Sequence, residues 1–276
     1  MTVVKETQYA VGQRPRALIV SCYGLYARES GGRLSVAALI RLLAEVQVDE
    51  AAVRSSVSRL KRRGILLPER VDGAAGYTLS ASARAILDEG DRRIFEPGRA
   101  ALADGWLLAV FSVPESERDK RHQLRSRLSG LGFGTVSAGV WIAPARLRNE
   151  TESVLERHGL AGYVDLFRAE HLGFAEVRAQ LGRWWDLDTL SVLHRDFVAR
   201  YAPLARRTRP PDDRQAFAHY LPALTDWRRL PYADPGLPAE VLPRDWPGLR
   251  AGATFSAIRD RLAAPAHRFA DTSFTG

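Results

Sequence analysis

Apolar residues recur at helical spacing in three successive segments near the start of the chain. The first segment covers residues 14–28, and the glycine pair at 31–32 ends it. Ser35 and Asp49 precede the second and third segments, where their side-chain oxygens can cap helix N-termini. Gly64 follows the third segment and suits the end of a helix. The pattern predicts three consecutive helices.

Two short β-prone pieces, 65–71 and 77–79, follow these helices. The turn-rich stretch 72–76 between them suits a hairpin, and a further helix is expected over 82–95. Three helices followed by a hairpin is the order of elements in a winged helix-turn-helix. We therefore predict such a domain over residues 12–96.

The middle of the chain alternates between strand-like and helix-like patterns. An apolar strand, a charged helix, a second strand, a second helix and a third strand are expected over 106–113, 115–131, 135–142, 146–158 and 163–168. This alternation within a short segment is typical of a small ferredoxin-like α+β domain. We predict that domain over residues 100–174.

The remainder of the chain is mostly helical in pattern. Apolar residues continue at helical spacing as far as Tyr201, and a last helix is expected over 253–269. Between them, 226–252 is rich in Pro, Trp and Asp and is expected to be ordered but irregular. We predict a helical domain over 175–270 that serves dimerisation or effector binding. The fold class predicted for the whole chain is α+β.

Composition indicates a globular protein. Apolar residues make up 46% and charged residues 26% of the chain, and Cys22 is its single cysteine. A lone thiol forms no intramolecular disulfide and fits a reducing compartment. No signal-peptide core is present in residues 1–12 and no apolar run is long enough to span a membrane, so we expect a cytoplasmic protein without a membrane partner.

The net charge of +8 is concentrated near the N-terminus. Residues 1–100 hold 16 basic and 11 acidic side chains, so most of the excess positive charge lies in the predicted winged helix-turn-helix. Such an excess favours a polyanionic partner, although an ordinary solvated basic surface has the same composition.

The third predicted helix carries polar and cationic residues opposite an apolar stripe. Val53, Val57 and Leu60 fall at positions i, i+4 and i+7 and form the stripe. The candidate DNA-binding residues on the opposite face are Arg54, Ser55, Ser58, Arg59 and Arg62, with Arg70 beside the predicted turn. Arginine reads guanine or binds phosphate, and short hydroxyl side chains let a helix approach the groove closely. The pattern predicts a recognition helix for double-stranded DNA; the alternative is a solvated helix face.

Catalytic and metal-binding patterns are not found in the sequence. The six histidines are not paired at ligand spacing, and no phosphate-binding glycine loop or nucleophile elbow is present. We therefore expect no enzyme activity, no catalytic residue, no metal site and no cofactor.

One segment near the C-terminus, 227–248, has the composition of a pocket for an aromatic anion. Its candidate effector-binding residues are Trp227, Arg228, Arg229, Asp234 and Trp246. The alternative is that the two tryptophans attach a long connection to a helical core.

Together these segments resemble the PaaX family of phenylacetate-degradation repressors over roughly residues 14–270. The resemblance is carried by several motifs in order: Val53-Arg-Ser-Ser-Val-Ser-Arg-Leu-Lys-Arg-Arg-Gly64, Trp106 with Phe111-Ser-Val-Pro-Glu115, Leu131-Gly-Phe-Gly134, Gly139-Val-Trp-Ile-Ala-Pro144, Trp227-Arg-Arg, Asp234-Pro-Gly-Leu-Pro238 and Leu242-Pro243. It implies a homodimer that represses aromatic-degradation genes at a palindromic operator. It also implies release from DNA by an aryl-CoA thioester such as phenylacetyl-CoA.

The resemblance further implies a middle domain similar to small CRISPR-associated nucleases. Those nucleases carry an Asp near the end of the first strand, where this chain has Phe111-Ser112-Val113. This difference disfavours a metal-dependent nuclease, one of the two alternatives. The other is a DNA-binding regulator without a small-molecule effector.

Overall fold

The computed structural model describes residues 14–28, 31–71, 73–173 and 175–274. The chain forms two compact units. We call them the N-terminal unit, which contains the described residues of 14–95, 197–228 and 250–274, and the central unit, which contains those of 96–196 and 229–249. Both combine helices and strands, which confirms the α+β class. Residues 12, 13, 72 and 174, used in the sequence-based boundaries, lie outside the described residues.

The first helices of the N-terminal unit follow the predicted pattern. They are α1 (Arg14–Cys22), continued by one π-helical turn (Tyr23–Ala27), then α2 (Val36–Ala44), α3 (Glu50–Arg62) and α4 (Ala81–Phe95). The Oγ atom of Ser35 accepts the N–H of Ala38 at 3.0 Å. An Oδ1 atom of Asp49 accepts the N–H of Ala52 at 2.8 Å. Both predicted N-caps are confirmed, and each satisfies a donor that the first helical turn leaves unpaired.

A three-stranded antiparallel sheet completes this part of the unit. Its strands are β1 (Arg33–Ser35), β2 (Leu66–Val71) and β3 (Ala74–Leu79), in the order β1-β3-β2. The expected linker 72–76 is wrong in its extent, because Ala74 pairs with Val71 and Gly76 pairs with Glu69. Strand β1 was not expected, since three residues are too short for a visible alternation of apolar and polar positions.

Gly76 lies in the middle of β3 because a side chain does not fit there. A Cβ atom at this position would lie 2.6 Å from Cγ2 of Val71 and 2.7 Å from the carbonyl oxygen of Leu34. The second contact is with backbone of β1, which cannot move without breaking the strand pairing. Close approach of two strands therefore explains a glycine at a position where residues of higher β propensity are normally favoured.

The central unit has the β-α-β-β-α-β order of elements. They are β4 (Trp106–Phe111), α5 (Arg118–Gly130), β5 (Gly134–Ser137), β6 (Val140–Pro144), α6 (Arg148–Arg157) and β7 (Val164–Ala169). The sheet order is β5-β6-β4-β7, and every neighbouring pair is antiparallel. This is the ferredoxin-like arrangement.

One strand prediction in the central unit was wrong. Residues 135–142 were expected to form one strand, but they are divided between β5 and β6, which pair as a hairpin. Gly139 allows the chain to turn there, because a Cβ atom would lie 2.6 Å from the carbonyl oxygen of Phe111. The amide N–H of Phe111 donates to the carbonyl of Gly139 at 2.9 Å, which fixes the turn against β4.

The C-terminal part of the chain adds further helices after the central sheet. They are α7 (Val177–Trp184), α8 (Leu187–Ala205), α9 (Asp213–Trp227), the single-turn α10 (Leu230–Ala233) and α11 (Pro247–Phe274). The range 175–270, expected to form a domain of its own, is divided between the two units. The reason is that α9 packs against α1: Phe217 and Tyr220 are buried, and the hydroxyl of Thr225 donates to Oγ of Ser21 at 2.9 Å.

Both faces of the central sheet are covered. Residues Leu107, Ala109 and Phe111 of β4 pack on one face against leucines of α5 and α6. Trp106 and Ile142 pack on the other face against residues of α7, the connection between α7 and α8, α8 and the segment 237–246, namely Leu181, Trp185, Leu190, Leu237, Val241, Leu242 and Trp246. The Pro- and Trp-rich segment is thus part of this hydrophobic core.

Replacing Gly76 by Ala is expected to destabilise the N-terminal unit by about 1–3 kcal/mol, because the added methyl group overpacks the contact between β1 and β3. Gly130→Ala is the matched control, since no atom lies within 4 Å of its added Cβ. Urea unfolding followed by circular dichroism measures both. Equal midpoints for the two variants would contradict this account of Gly76.

Candidate nucleic-acid interface

Helix α3 exposes one polar face to solvent. Val53, Val57 and Leu60 are buried, as predicted, and Ser56 is buried beside them. The opposite face is exposed and carries all five predicted residues of this helix, Arg54, Ser55, Ser58, Arg59 and Arg62. Burial of the apolar stripe therefore fixes the rotation of α3 about its own axis. That rotation decides which side chains are available to a partner.

Arg54 forms an ion pair, whereas Arg59 and Arg62 form none with the residues that the structure describes. Its Nε atom lies 2.7 Å from Oε1 of Glu50, one helical turn earlier, and the two side chains are 60% and 58% exposed. An exposed pair of this kind is worth about 0.3–0.5 kcal/mol, so Arg54 can exchange Glu50 for another anion at little cost.

Two further cations extend this face. Lys61 and Arg63 are exposed at the end of α3 but were not among the predicted residues. In the part of the chain that the structure describes, no carboxylate lies within ion-pair distance of Arg59, Lys61, Arg62 or Arg63. The helical projection favoured positions opposite the stripe, so the signal that would have found Lys61 and Arg63 is the unbroken run of basic residues at 61–63.

Arg70 lies at the distal end of the hairpin formed by β2 and β3. Its Nη1 atom donates to the carbonyl oxygen of Gly73 at 3.2 Å, and the side chain is exposed. Nearby, Arg33 of β1 lies 3.4 Å from Glu69 of β2. The hairpin therefore presents one cation beside its turn, as the sequence predicted.

The candidate effector residues fall into two groups. Trp227 belongs to the N-terminal unit, where its indole stacks on Phe255 with ring centroids 4.8 Å apart and an interplanar angle of 11°. The Nε1–H of Trp227 donates to the carbonyl oxygen of Ile94 at 2.8 Å. Arg228 is the next residue in the chain, and its Nη2 atom lies 3.5 Å from the carbonyl oxygen of Ala17. Trp227 is buried, so the structure gives this indole a packing role in the core.

Arg229, Asp234 and Trp246 belong to the central unit. The buried Asp234 carboxylate accepts hydrogen bonds from Nε2 of His194 at 3.1 Å and from the N–H of Gly236 at 3.0 Å, and Nη2 of Arg99 lies 3.4 Å away. Trp246 packs edge-on against His194, with ring centroids 5.8 Å apart. The five candidate residues are divided between the two units and have different surroundings. Their role in binding an effector stays a prediction.

The surroundings of Asp234 shift its titration. Desolvation by burial raises the pKa of this carboxyl, but the hydrogen bond from His194 and the charge of Arg99 outweigh it and lower the pKa to about 2. The same groups hold the 234–238 turn in place, because Arg99 also donates to the carbonyl of Leu237 at 3.0 Å. This buried carboxylate therefore organises the turn around it, and loss of either His194 or Arg99 would weaken the compensation of a buried charge.

The described residues contain no cluster of three or more His, Cys, Asp or Glu side chains placed to hold a metal ion. Among the described helices, none combines the length and apolar character that crossing a membrane requires.

Three family models match the chain in succession. They are described as PaaX-like protein over residues 14–83, PaaX protein central Cas2-like domain over 99–181, and PaaX-like protein C-terminal domain over 185–272. The chain belongs to the PaaX family. A curated relative, the transcriptional repressor PaaX of Escherichia coli (strain K12), is 26% identical over 275 residues, covering 97% of this chain and 86% of the relative.

A solved structure is similar as well. An uncharacterized protein, Rv0674 from Mycobacterium tuberculosis, superposes with a TM-score of 0.54 at 24% identity, and the match covers 90% of this PaaX family chain and 99% of the other chain. This likeness shows a common fold. The match to the C-terminal family model spans residues of both compact units, so in this PaaX family member that sequence region supplies helices to each of them.

The Asp234 network of this PaaX family member is expected to make the central unit sensitive to acid. Since the folded pKa of about 2 lies below the ordinary 3.8, the stabilisation is complete above about pH 5 and is lost as the pH falls toward 2, by about 2 kcal/mol in total. Thermal unfolding between pH 7 and pH 2 measures the effect. Asp234→Asn, compared with the exposed-site control Asp245→Asn, should lose this component of the pH dependence; parallel curves for wild type and Asp234→Asn would contradict it.

Proposed function

We propose that this protein is a DNA-binding transcriptional repressor whose N-terminal unit contains a winged helix-turn-helix. Helix α3 is the recognition helix, and the β2–β3 hairpin is the wing. The observation that carries the proposal is the exposed face of α3, which combines two short hydroxyl side chains with cations that have no ion-pair partner among the described residues. The relative named a transcriptional repressor, similar over almost the whole chain, supports it.

The chemistry of this face suits the major groove. Ser55 and Ser58 are small enough for the backbone of α3 to approach the bases, and their hydroxyls bind phosphate oxygens. Arg59 reads a guanine edge with two hydrogen bonds, and Arg54 joins it after leaving Glu50. Arg62 neutralises phosphate beside the groove, and Arg70 does so from the wing.

We further propose that the protein binds as a homodimer to a palindromic operator. Two recognition helices related by a twofold axis and about one DNA turn apart read the two halves of such a site. An aryl-CoA thioester such as phenylacetyl-CoA then favours a dimer geometry that no longer fits the operator, and DNA is released. The cytoplasmic location expected from the sequence stays a prediction.

The end of β4 supports a regulator rather than a nuclease. Strand β4 ends at Phe111 and is followed by Ser112 and Val113, so no carboxylate stands where the similar nucleases carry their Asp. A divalent metal ion would lack that ligand.

Arg59→Ala is expected to weaken operator binding by about 1–3 kcal/mol and to remove the preference for guanine at one position of each half-site. Arg62→Ala should weaken operator and random DNA equally and reduce the salt dependence of binding. Fluorescence anisotropy over a salt series measures both, with the exposed Arg244→Ala as control. Unchanged affinity and base preference in Arg59→Ala would remove this residue from the interface.

Phenylacetyl-CoA is expected to release the protein from its operator, whereas free phenylacetate and acetyl-CoA leave the complex intact. An electrophoretic mobility shift on the upstream region of the protein's own gene, titrated with each compound, measures release. Binding that ignores all three compounds would contradict the proposed effector and leave the DNA-binding proposal standing.

A further inference from the structure

A cavity of about 780 Å³ lies within the N-terminal unit, between the end of α8, the start of α9 and one side of α11. Four arginines line it, Arg206, Arg207, Arg209 and Arg261, and the buried Leu262 lines it as well. None of them belongs to the face of α3 or to the candidate effector residues. The volume falls in the range of about 300–1,000 Å³ typical of small-molecule sites.

Among the residues that line this cavity, arginines outnumber carboxylates. None of its four guanidinium groups has a carboxylate within ion-pair distance there. The one lining carboxylate, Asp212, caps α9 by accepting the N–H of Gln215 at 2.7 Å. Like charges gathered around a concavity repel one another unless an anion lies between them.

Neighbouring arginines differ from these four. Arg214 pairs with Glu45 at 2.6 Å, and Arg268 binds both carboxylate oxygens of Asp213 at 3.0 and 2.7 Å. Glu45 and Asp213 are therefore already engaged by arginines that do not line the cavity.

Contacts within the protein hold part of the cavity lining in place. Nη2 of Arg261 donates to the carbonyl oxygen of Arg209 at 2.8 Å, and Nη1 of Arg207 lies 3.3 Å from Nε2 of His219. Burial and the charge of Arg207 lower the pKa of His219, so that its neutral ring accepts this hydrogen bond. Pro210 and Pro211 restrict the backbone of the lining loop, and less conformational entropy remains to be lost on binding.

We propose that this cavity binds a small ligand that carries two or more phosphate groups and a less polar portion. Guanidinium groups form paired hydrogen bonds with phosphate oxygens, and several of them around one cavity match a polyphosphorylated ligand better than a single carboxylate. Leu204 and Leu262 supply apolar surface for the rest of such a molecule. The inference does not depend on the proposed effector; a CoA thioester is one source of these phosphates, and a free nucleotide is another.

The concave form of the site favours a small ligand over the DNA backbone. A duplex presents its phosphates on a convex ridge, which flat or protruding basic surfaces contact, as the face of α3 does. Here four arginines line one cavity, so that a small ligand entering it lies within reach of several of them.

Isothermal titration calorimetry of the full chain at fixed ionic strength tests the proposal. The probes are pyrophosphate, adenosine 3′,5′-bisphosphate and coenzyme A. We expect at least one of the two organic phosphates to bind more tightly than pyrophosphate. Arg206→Gln and Arg209→Gln should each weaken that binding about tenfold or more, because each removes a charge-assisted contact. Arg195→Gln, on the exposed side of α8 and outside the cavity, is the matched control and should bind as the wild type does.

Three outcomes would overturn the proposal. The first is failure of all three probes to bind. The second is equal weakening of probe binding by the Arg195→Gln control, which would indicate a general effect of positive charge. Loss of DNA affinity in Arg206→Gln and Arg209→Gln without loss of probe binding would assign these arginines to the DNA backbone. Melting temperatures establish that the variants fold, and operator binding by the Arg206→Gln variant distinguishes failure here from failure of the proposed repressor function.

Discussion

The burial of α1 between α3 and α9 is the contact on which the N-terminal unit depends. Ile19 and Cys22 of α1 are fully buried, and α1 contacts both α3 and α9. Removal of apolar surface from water is the main force that drives folding, and here it fixes how these helices face one another. Because α1 occupies the apolar side of α3, Ser55, Ser58 and the arginines of α3 face solvent. The same contact brings α9, far along the chain, into the unit that carries the proposed recognition helix.

This arrangement places two cationic sites in one compact unit. The face of α3 is convex and combines arginine with small hydroxyl side chains, whereas the cavity at Arg206 and Arg209 is concave and is also lined by Leu204 and Leu262. Arg214, near the start of α9, pairs with Glu45 in the turn that precedes α3. The proposed ligand site thus lies in the same unit as the proposed recognition helix.

The sequence predicted those parts of the fold that depend on local periodicity. The caps at Ser35 and Asp49, the stripe of α3 and the exposure of Arg59 follow from helical spacing alone, because a helix of sufficient length repeats its pattern over several turns. Strand β1 and the hairpin of β5 and β6 were missed or merged. Their pairing depends on contacts between distant segments, such as Gly76 against Leu34 and Gly139 against Phe111.

Only the tertiary structure decided where the C-terminal half belongs and which arginines have partners. Trp227 and Trp246 look alike in the sequence, yet one stacks on Phe255 in the N-terminal unit and the other packs beside His194 in the central unit. Arg206 and Arg214 also look alike, but Arg214 has a carboxylate within reach and Arg206 has none among the described residues. Ion pairing and burial depend on residues that the fold brings together from distant parts of the chain. Helix periodicity and capping depend on neighbouring positions of the chain, and for that reason the sequence alone determined them.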